Sequence, residues 1–435
     1  MVITELQAGS NVGAIACKAI PAEGGEYRLK GQKIFISWGE HDLTDNIVHL
    51  VLARLPDAPE GTRGISLFLV PKFLVEADGS PGARNDLHCA SLEHKLGIHA
   101  SPTCVMIYGD GKFGDEPGAI GYLVGEENKG LACMFTMMNN ARLHVGMQGV
   151  AVAEAAYQKA LAYAKERTQG KAAGHDGPGM SPIIEHPDVR RMLLTMKSLT
   201  AASRAISYCC AHAIDMARVS DGEEKKTWAE RAGLWTPVAK AFSTDVGMEV
   251  ASLGVQVHGG MGFIEETGAA RYYRDARIAP IYEGTNGIQA IDLVTRKLPL
   301  SNGEAVASLI AELREDAEAV RASNADGLDG VADALTAALD HLDAATEWLG
   351  LALKDGRREE ALAGATPYLR LFGLASGGAL MARGALRGED DGGSEARAAL
   401  ARFAAHNLLP ETAALRHVVT GGGERLAEAA ETVFA

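Results

Sequence analysis

Residues 281–289 of this chain read Ile-Tyr-Glu-Gly-Thr-Asn-Gly-Ile-Gln. The carboxylate of Glu283 follows two apolar residues and precedes a flexible glycine. Thr285 and Asn286 can cap the helix that the following apolar residues predict, and Asn286 with Gln289 three residues later has the spacing of a capping box. The stretch therefore predicts a turn that carries Glu283 just outside a helix N-terminus.

Glu283 has two interpretations at this position. Burial raises the pKa of a carboxyl group toward neutrality, as a general base requires, whereas a helix N-terminus favours the ionised form. An acidic residue before a helix is also commonly a solvated acid of the first turn. The apolar side chains of Ile281 and Tyr282 make Glu283 a candidate base, and its context has to decide between the two interpretations.

Length and composition bound the class of protein. The 435 residues suggest two or three domains, and the 47% of hydrophobic residues can form substantial cores. The net charge of -14 argues against non-specific binding to nucleic acid or to an anionic membrane. No apolar run approaches the roughly 20 residues of a membrane span, and residues 1–5 show no signal peptide. The six cysteines form no Cys-x-x-Cys pair, so a reduced, cytoplasmic protein is predicted.

Residues 1–125 are predicted to form a β-barrel or sandwich domain. Strand-length, β-branched runs occur at 33–36, 47–53, 64–70 and 104–108, and glycine, proline, aspartate and asparagine cluster between them. Spacing of this kind is typical of a small barrel or sandwich.

Residues 126–299 are predicted to form a four-helix bundle. Apolar residues recur at helical spacing over 131–167, 187–219 and 228–257, and a fourth helix follows Thr285. Four helices of this length pack as a bundle.

Residues 300–435 are predicted to form a further helical domain. Candidate helices cover 304–322, 328–354, 358–387 and 393–434, with an acidic turn at 388–393. We expect a role in packing or oligomerisation, because no constellation of chemical groups occurs there. The fold class predicted for the whole chain is therefore α+β and multidomain.

Other candidate sites give weaker signals. The glycines within residues 254–262 could present backbone amides to a phosphate, but they lack the Gly-x-Gly-x-x-Gly spacing and no strand precedes them. Arg142 and Arg167 are suited to phosphate recognition, although helical arginines most often face solvent. His-Glu-x-x-His and Gly-x-Ser-x-Gly motifs are absent, so neither a metal site nor a serine hydrolase is expected.

Five segments resemble, in chain order, motifs of the acyl-CoA dehydrogenase family, and the match extends from residue 2 to about residue 298. The flavin loop is Ile3-Thr4-Glu5-x-x-Ala8-Gly9-Ser10, and the strand that flanks the flavin is Lys33-Ile34-Phe35-Ile36-Ser37. The arginine motif is Glu166-Arg167-x-Gln169, and the adenosine and pyrophosphate motif is Gln256-x-x-Gly259-Gly260-x-Gly262. The catalytic-base motif is Tyr282-Glu283-Gly284-Thr285. Residues 93–103, with the helical C-terminal extension, are similar to the 3-methylmercaptopropionyl-CoA dehydrogenase subgroup.

The resemblance implies an FAD-dependent acyl-CoA dehydrogenase of fatty acid metabolism. Glu283 would remove the α-proton of an acyl-CoA thioester while the β-hydride passes to the flavin, which gives a trans-2-enoyl-CoA. The substrate would be 3-methylmercaptopropionyl-CoA-like or of short to medium chain. An electron-transfer flavoprotein would be the acceptor. The protein would be a homodimer or homotetramer, since Arg167 and the loop at 256–260 would reach the FAD of a neighbouring subunit.

The resemblance also implies roles for individual residues. Thr4 and Ser37 would hydrogen-bond the flavin ring, and Phe35 would pack on it. The whole set that would bind the cofactor is Ile3, Thr4, Phe35, Ser37, Arg167, Gln169, Gln256, Gly259, Gly260, Thr285 and Asn286. The acyl-CoA would contact Ser10, Asn139, Arg142 and Gly284.

The chain departs from the family's pattern in several places. Leu6 and Asn11 stand where the family usually has proline and aspartate, and the usual phenylalanine between Gln169 and Gly170 is missing. The family's N-terminal helical domain is expected to be absent, because the flavin loop begins at residue 3. A truncated chain, a misassigned start or a fragment that needs a partner would each account for this, and we expect the loop to fray.

Two alternatives to a dehydrogenase remain at this point. An acyl-CoA oxidase has the same fold and uses oxygen as its acceptor. A truncated flavin-binding or interaction protein without activity is the second alternative.

Overall fold

The computed structural model describes residues 1–114, 116–323, 325, 327–387, 393–423 and 426–435. They divide into two units, Met1–Asn140 and Ala141–Ala435, which are described in turn. The boundary lies inside the first long helix, α1 (Gly130–Glu166).

The first unit is built on an antiparallel sheet. Its strands are β1 (Lys18–Pro21), β2 (Glu26–Ser37), β3 (Val48–Ala53), β4 (Ser66–Pro71), β5 (Phe73–Val75), β6 (Pro81–Arg84), β7 (Leu87–Leu92), β8 (Thr103–Tyr108) and β9 (Ala119–Val124). The hydrogen-bonded order is β3-β4-β9-β2-β8-β7, with β1 also on β2, while β5 and β6 form a separate pair. Each of the four runs predicted as strands falls on one of these strands, so the β-rich first part is confirmed.

Strand β2 connects the two halves of the sheet. Residues 26–29 pair with β9, and residues 31–37 pair with β8. A bulge lies between Lys33 and Ile36, and within it Phe35 has a positive φ of 60°. A bulge re-aims side chains, and here the side chain of Lys33 is buried while Phe35 is exposed.

The amino-terminal loop is tied to this sheet. Val2 donates its N–H to a backbone carbonyl of β3 at 2.7 Å, and the carbonyl of Thr4 accepts from a backbone N–H of β2 at 2.9 Å. The buried carboxylate of Glu5 accepts from the ammonium of Lys33 at 2.8 Å and from two backbone N–H groups at 2.7 and 3.1 Å. The expectation that the loop frays is therefore wrong, because buried and backbone hydrogen bonds hold it.

The second unit is helical. After the remainder of α1 its helices are α2 (Pro187–Val219), α3 (Gly222–His258), α4 (Ala269–Ala276), α5 (Asn286–Asp292), α6 (Glu304–Ser323), α7 (Val331–Lys354), α8 (Arg358–Ala363), α9 (Ala365–Leu386), α10 (Ser394–Asn407), α11 (Glu411–Gly421) and α12 (Leu426–Phe434). The first two predicted bundle helices agree with α1 and α2 to within one residue, whereas α3 begins six residues before its predicted start at 228.

Three helix predictions are corrected by the structure. The fourth bundle helix is only α5, followed by a π-helical turn at Leu293–Lys297. The helix predicted at 358–387 breaks at Gly364, where a Cβ would lie 3.2 Å from the carbonyl oxygen of Val419 on α11. The described part of the helix predicted at 393–434 forms three helices, and Pro410, which has no backbone N–H, lies at the break between α10 and α11. Residues 388–392 of the predicted acidic turn lie outside the described residues.

Helices α1 and α3 lie against each other through glycines. A Cβ on Gly146 would lie 2.4 Å from the carbonyl oxygen of Ala239, and one on Gly149 would lie 2.3 Å from that of Ser243. Only glycine permits backbones to approach this closely. Both contacts advance along the two helices in the same direction, so α1 and α3 are parallel and residues 142–148 lie beside residues 236–242.

Helix α9 packs into the same core as the bundle. A Cβ on Gly373 would lie 2.3 Å from the ring of Phe242 on α3, and one on Gly377 would lie 2.7 Å from the Cβ of Ala202 on α2. The helices after residue 300 therefore share one hydrophobic core with the bundle helices. The division of the chain into three domains, at residues 125 and 299, stays a prediction.

Candidate active site

Glu283 lies on a left-handed turn before α5. Its φ is 55° and that of Gly284 is 86°. A left-handed conformation costs a residue other than glycine roughly 1–2 kcal/mol, and such strain persists where neighbouring contacts impose it. Asn286 donates its N–H to the carbonyl of Pro280 at 2.9 Å, and the side-chain amide of Gln289 donates to the carbonyl of Gly284 at 3.4 Å. The turn is thus closed from both ends around the carboxylate.

The cap of α5 differs from the prediction. Thr285 is the N-cap residue, and its hydroxyl accepts the N–H of Ile288 at 3.3 Å. Asn286 belongs to the first turn, so it does not form the predicted capping box with Gln289. Because Thr285 provides the cap, the side chain of Asn286 is directed to α3 instead.

The amide of Asn286 joins the turn to α3. Its Oδ1 accepts from the ammonium of Lys240 at 2.8 Å, and its Nδ2 donates to the carboxylate of Asp245 at 2.7 Å and to the carbonyl of Ala241 at 3.1 Å. Thr244 contributes further contacts, within 3.2 Å of the amide. Both ends of the amide are therefore satisfied by one helix.

Lys240 carries its ammonium in a buried position. It is 0% exposed, and burial lowers the pKa of Lys240 to about 8, although the carboxylates of Asp245 and Glu283 oppose that shift. Burial likewise raises the pKa of Asp245, against the hydrogen bond from Asn286 and the charge of Lys240. The two opposite charges lie on the face of α3 that the turn of Glu283 covers.

Arg142 brings a second cation to the turn. Burial lowers the pKa of Arg142, against the nearby charges of Asp292 and Glu283. One of its guanidinium nitrogens lies 3.7 Å from a carboxylate oxygen of Asp292. Another lies 3.9 Å from the place where a Cβ on Gly284 would stand. Glu283 is thus half-buried between cations from α1 and α3.

The apolar neighbours of Glu283 only partly match the expectation. Tyr282 is half-buried and donates its hydroxyl to the side-chain carbonyl of Gln148 on α1. Ile281, by contrast, is 47% exposed. Within this unit, Tyr282 therefore forms part of the predicted apolar wall beside Glu283, and Ile281 does not.

The predicted cofactor motifs of the second unit lie together at another place. The rings of Tyr163 and His258 stack at 4.5 Å, which brings the end of α1 beside the end of α3. Arg167 there donates to Gln169 at 3.0 Å, and both side chains are exposed. Nearby on α3 and the turn after it, the exposed residues are Gln256, Gly259 and Gly260. Along α1 this group lies roughly 35 Å from Arg142, at about 1.5 Å per residue.

The flavin residues predicted in the first unit share one surface. Phe35 is 58% exposed on the bulge of β2, and Ser37 follows it at the surface. Ile3 and Thr4 lie next to this strand, since Lys33 donates to the carbonyl of Ile3 at 3.0 Å. The exposed ring of Phe35 can stack on a flat ring such as a flavin, and the roles of these residues stay predictions.

The predicted substrate residues divide between the two units. Ser10 and Asn139 belong to the first unit and are exposed there. Arg142 and Gly284 belong to the second unit, where they lie beside each other. Residue patterns missed Lys240, Asp245 and Gln148, and the available signal was a lysine inside the apolar run of residues 237–242.

Three family models match the chain. They are the acyl-CoA dehydrogenase middle domain at residues 1–110, the acyl-CoA dehydrogenase C-terminal domain at 128–298, and the acetyl-CoA dehydrogenase C-terminal-like model at 309–430. A 3-methylmercaptopropionyl-CoA dehydrogenase of Ruegeria pomeroyi is 47% identical over 98% of this chain and 72% of its own length. The chain belongs to the acyl-CoA dehydrogenase family. The resemblance, the α+β fold, the enzyme class and FAD as the family's cofactor are thereby confirmed.

Other acyl-CoA dehydrogenases match with different coverage. The broad-specificity linear acyl-CoA dehydrogenase of Mycobacterium tuberculosis is 34% identical over 100% of this chain and 74% of its own. A butyryl-CoA dehydrogenase of Syntrophomonas wolfei is 43% identical over 72% of this chain and 52% of its own. This chain spans from about half to about three quarters of the length of these relatives.

Two solved structures share the fold. Caenorhabditis elegans ACDH-11 in complex with C11-CoA has a TM-score of 0.76, at 23% identity over 97% of this chain and 68% of its own. An acyl-CoA dehydrogenase of Bacillus anthracis complexed with FAD has a TM-score of 0.74, at 22% identity over 100% of this chain and 70% of its own. Among the described residues no helix is long and apolar enough to cross a membrane, and no cluster of three or more His, Cys, Asp or Glu could hold a metal ion.

Proposed function

We propose that this acyl-CoA dehydrogenase converts an acyl-CoA thioester to a trans-2-enoyl-CoA with Glu283 as the base. The observation that supports this most is the strained turn at Glu283 and Gly284, with φ values of 55° and 86°. A solvated first-turn acid needs no such conformation. Backbone strain that surrounding contacts hold in place is typical of active sites.

The residues around Glu283 have definable parts in this reaction. Bound FAD supplies the acceptor for the hydride of the β-carbon. Glu283 accepts the α-proton on a carboxylate oxygen. Arg142 and Lys240 place two cations beside that carboxylate. Tyr282, fixed by its bond to Gln148, covers one side of the turn.

The predicted cofactor residues are proposed as the FAD contacts. Thr4 and Ser37 would hydrogen-bond the flavin ring and Phe35 would pack on it. The other proposed contacts are Ile3, Arg167, Gln169, Gln256, Gly259, Gly260 and Thr285. Asn286 also belongs to the proposed set, and its side-chain amide is engaged on α3 and its backbone N–H on Pro280.

The substrate would be 3-methylmercaptopropionyl-CoA-like or another acyl-CoA of short to medium chain. The 47% identity to a 3-methylmercaptopropionyl-CoA dehydrogenase supports the first choice. Ser10, Asn139, Arg142 and Gly284 would contact this ligand. The half-buried Arg142 guanidinium beside Gly284 is suited to an anionic or carbonyl group.

An electron-transfer flavoprotein would accept the electrons from a cytoplasmic homodimer or homotetramer. The distance of roughly 35 Å between Arg142 and the Arg167 group supports an oligomer, because a single chain would then contribute to two different cofactor sites. The yield of peroxide during aerobic turnover distinguishes the two enzymes, because an acyl-CoA oxidase passes its electrons to oxygen and forms peroxide, whereas a dehydrogenase passes them to the flavoprotein.

Substitution of Glu283 by glutamine tests the proposal, because the amide cannot accept the α-proton. We expect FAD binding to persist and flavin bleaching by acyl-CoA to slow by roughly 10²–10⁴-fold. Glu347→Gln is the control, since this residue is exposed on α7. Anaerobic mixing with acyl-CoAs of several lengths, followed by flavin absorbance, gives the rates. Bleaching of Glu283→Gln at the wild-type rate would remove Glu283 from the mechanism.

A further inference from the structure

We propose that Lys240 is a positioning residue for the base, acting through the side chain of Asn286. The inference rests on the proposed function of Glu283. Lys240 does not reach the substrate in this proposal. It holds the turn that carries Glu283 and adds a fixed positive charge to its surroundings.

The first observation is the route of the hydrogen bonds. The ammonium of Lys240 donates to Asn286 at 2.8 Å, and Asn286 donates to Asp245 at 2.7 Å. Asn286 follows Glu283 by three residues, and its own N–H closes the turn on Pro280 at 2.9 Å. Asn286 therefore joins the strained turn through its backbone N–H and α3 through its side-chain amide.

The second observation is the burial of the charge. Lys240 is 0% exposed, between apolar residues of a core helix. Helix packing alone would be served by a methionine or leucine, which carries no desolvation cost, whereas a buried ammonium is expensive unless it is paired. The structure offers Lys240 one charged partner on its own helix, Asp245, and a second one on the turn, Glu283.

The third observation concerns the whole set of charges at this place. Lys240 faces Asp245 on α3, Glu283 on the turn and Arg142 on α1. Asp245 in turn faces Arg370 on α9 and Arg277 before the turn. The charge of Lys240 is therefore shared between Asp245 and Glu283. Loss of Lys240 should leave the turn that carries Glu283 less firmly held on α3.

Two variants of the FAD-loaded chain test the role. In Lys240→Met we expect kcat to fall at least tenfold, with a smaller change in KM. In Asn286→Ala we expect a similar fall in kcat. The kcat of the double variant should be only slightly lower than that of either single variant, since the two side chains act as one unit.

Phe242→Leu is the matched control for stability. This buried residue lies on α3 two positions after Lys240, and its truncation should lower the Tm while kcat stays close to that of the wild type. A merely structural role for Lys240 predicts that Lys240→Met behaves like this control. A nearly unchanged kcat in Lys240→Met, or additive losses in the double variant, would overturn the inference.

A measurement without turnover separates this inference from the function on which it rests. Hydrogen–deuterium exchange of residues 281–289 reports how firmly the turn is held in the FAD-loaded chain. We expect exchange there to be faster in Lys240→Met than in Phe242→Leu, because the bond from Lys240 to Asn286 is lost. Exchange as slow as in Phe242→Leu overturns the role of Lys240 even where Glu283→Gln abolishes bleaching. If Glu283→Gln instead bleaches normally, the function of the base and the positioning role both fail.

Discussion

At the scale of single residues, the site depends on the left-handed backbone of its turn, which neighbouring contacts hold in place. Gly284 has a φ of 86°, and a Cβ there would lie 2.6 Å from the side-chain nitrogen of Gln289. Both facts require glycine, because a side chain would be strained and would also displace the bond that closes the turn. The glycine of the motif is therefore explained by the turn itself.

Gly284→Ala should destabilise the second unit by about 1–2 kcal/mol and slow flavin bleaching more strongly than FAD binding, since the displaced Gln289 releases Glu283. Gly287→Ala is the control, because there only the hydroxyl of Thr285 comes within 4.0 Å of a Cβ. Denaturant unfolding and rapid-mixing bleaching measure the two effects. Equal behaviour of both alanine variants would contradict this account of the turn.

His49 gives a residue-scale prediction for the first unit. The ring is buried and bonded to the hydroxyl of Tyr108 at 2.7 Å and to the carbonyl of Gly39 at 2.9 Å. Burial lowers the pKa of His49 to about 4, so the folded protein keeps the ring neutral while the unfolded chain binds a proton near pH 6.5. The contribution of neutral His49 to the free energy of unfolding should therefore be complete above pH 6.5 and fall by about 3 kcal/mol on acidification to pH 4. The free energy of unfolding against pH should be flatter over this window in His49→Gln.

At the scale of elements, two glycines of α9 allow the effect of helix packing on stability to be measured separately from the effect of helix propensity. Gly373→Ala would place a Cβ 2.3 Å from the ring of Phe242, so we expect a loss of about 1–3 kcal/mol. Gly384→Ala on the same helix meets nothing within 4 Å and should gain roughly 0.5–1 kcal/mol. Thermal unfolding of the two variants should shift in opposite directions. Shifts in the same direction would show that α9 does not pack as described.

The elements also show what sequence patterns can and cannot predict here. Helices α1, α2 and α3 were predictable, because their apolar periodicity is sustained over 33 to 37 residues. The break at Gly364 was not, since it depends on α11 approaching from 55 residues away along the chain. Lys240 was missed for the same reason. A helical lysine is ordinarily solvated, and its burial here depends on Asn286, 46 residues later.

At the scale of the whole molecule, the site residues of the second unit fall into two groups. Glu283 and Arg142 form one group, and Arg167 with the loop at 256–260 forms the other, roughly 35 Å away along α1. The five motifs predicted a shared site from resemblance alone. The parallel packing of α1 and α3 places the two groups at different levels of the same pair of helices, and the shared site stays a prediction.

Co-expression of two inactive chains tests whether the site is shared. Arg167→Ala should lose FAD on gel filtration, because a guanidinium paired with phosphate is hard to replace, and Glu283→Gln should bind FAD without bleaching. In a two-fold dimer of mixed chains, one site then combines both defects and the other combines neither. Random mixing should therefore restore roughly a quarter of the wild-type sites, seen as bleaching by acyl-CoA. If each site is instead formed within one chain, the mixture stays as inactive as its components. Equal amounts of the two chains mixed only after purification serve as the control, since intact oligomers then carry one defect each.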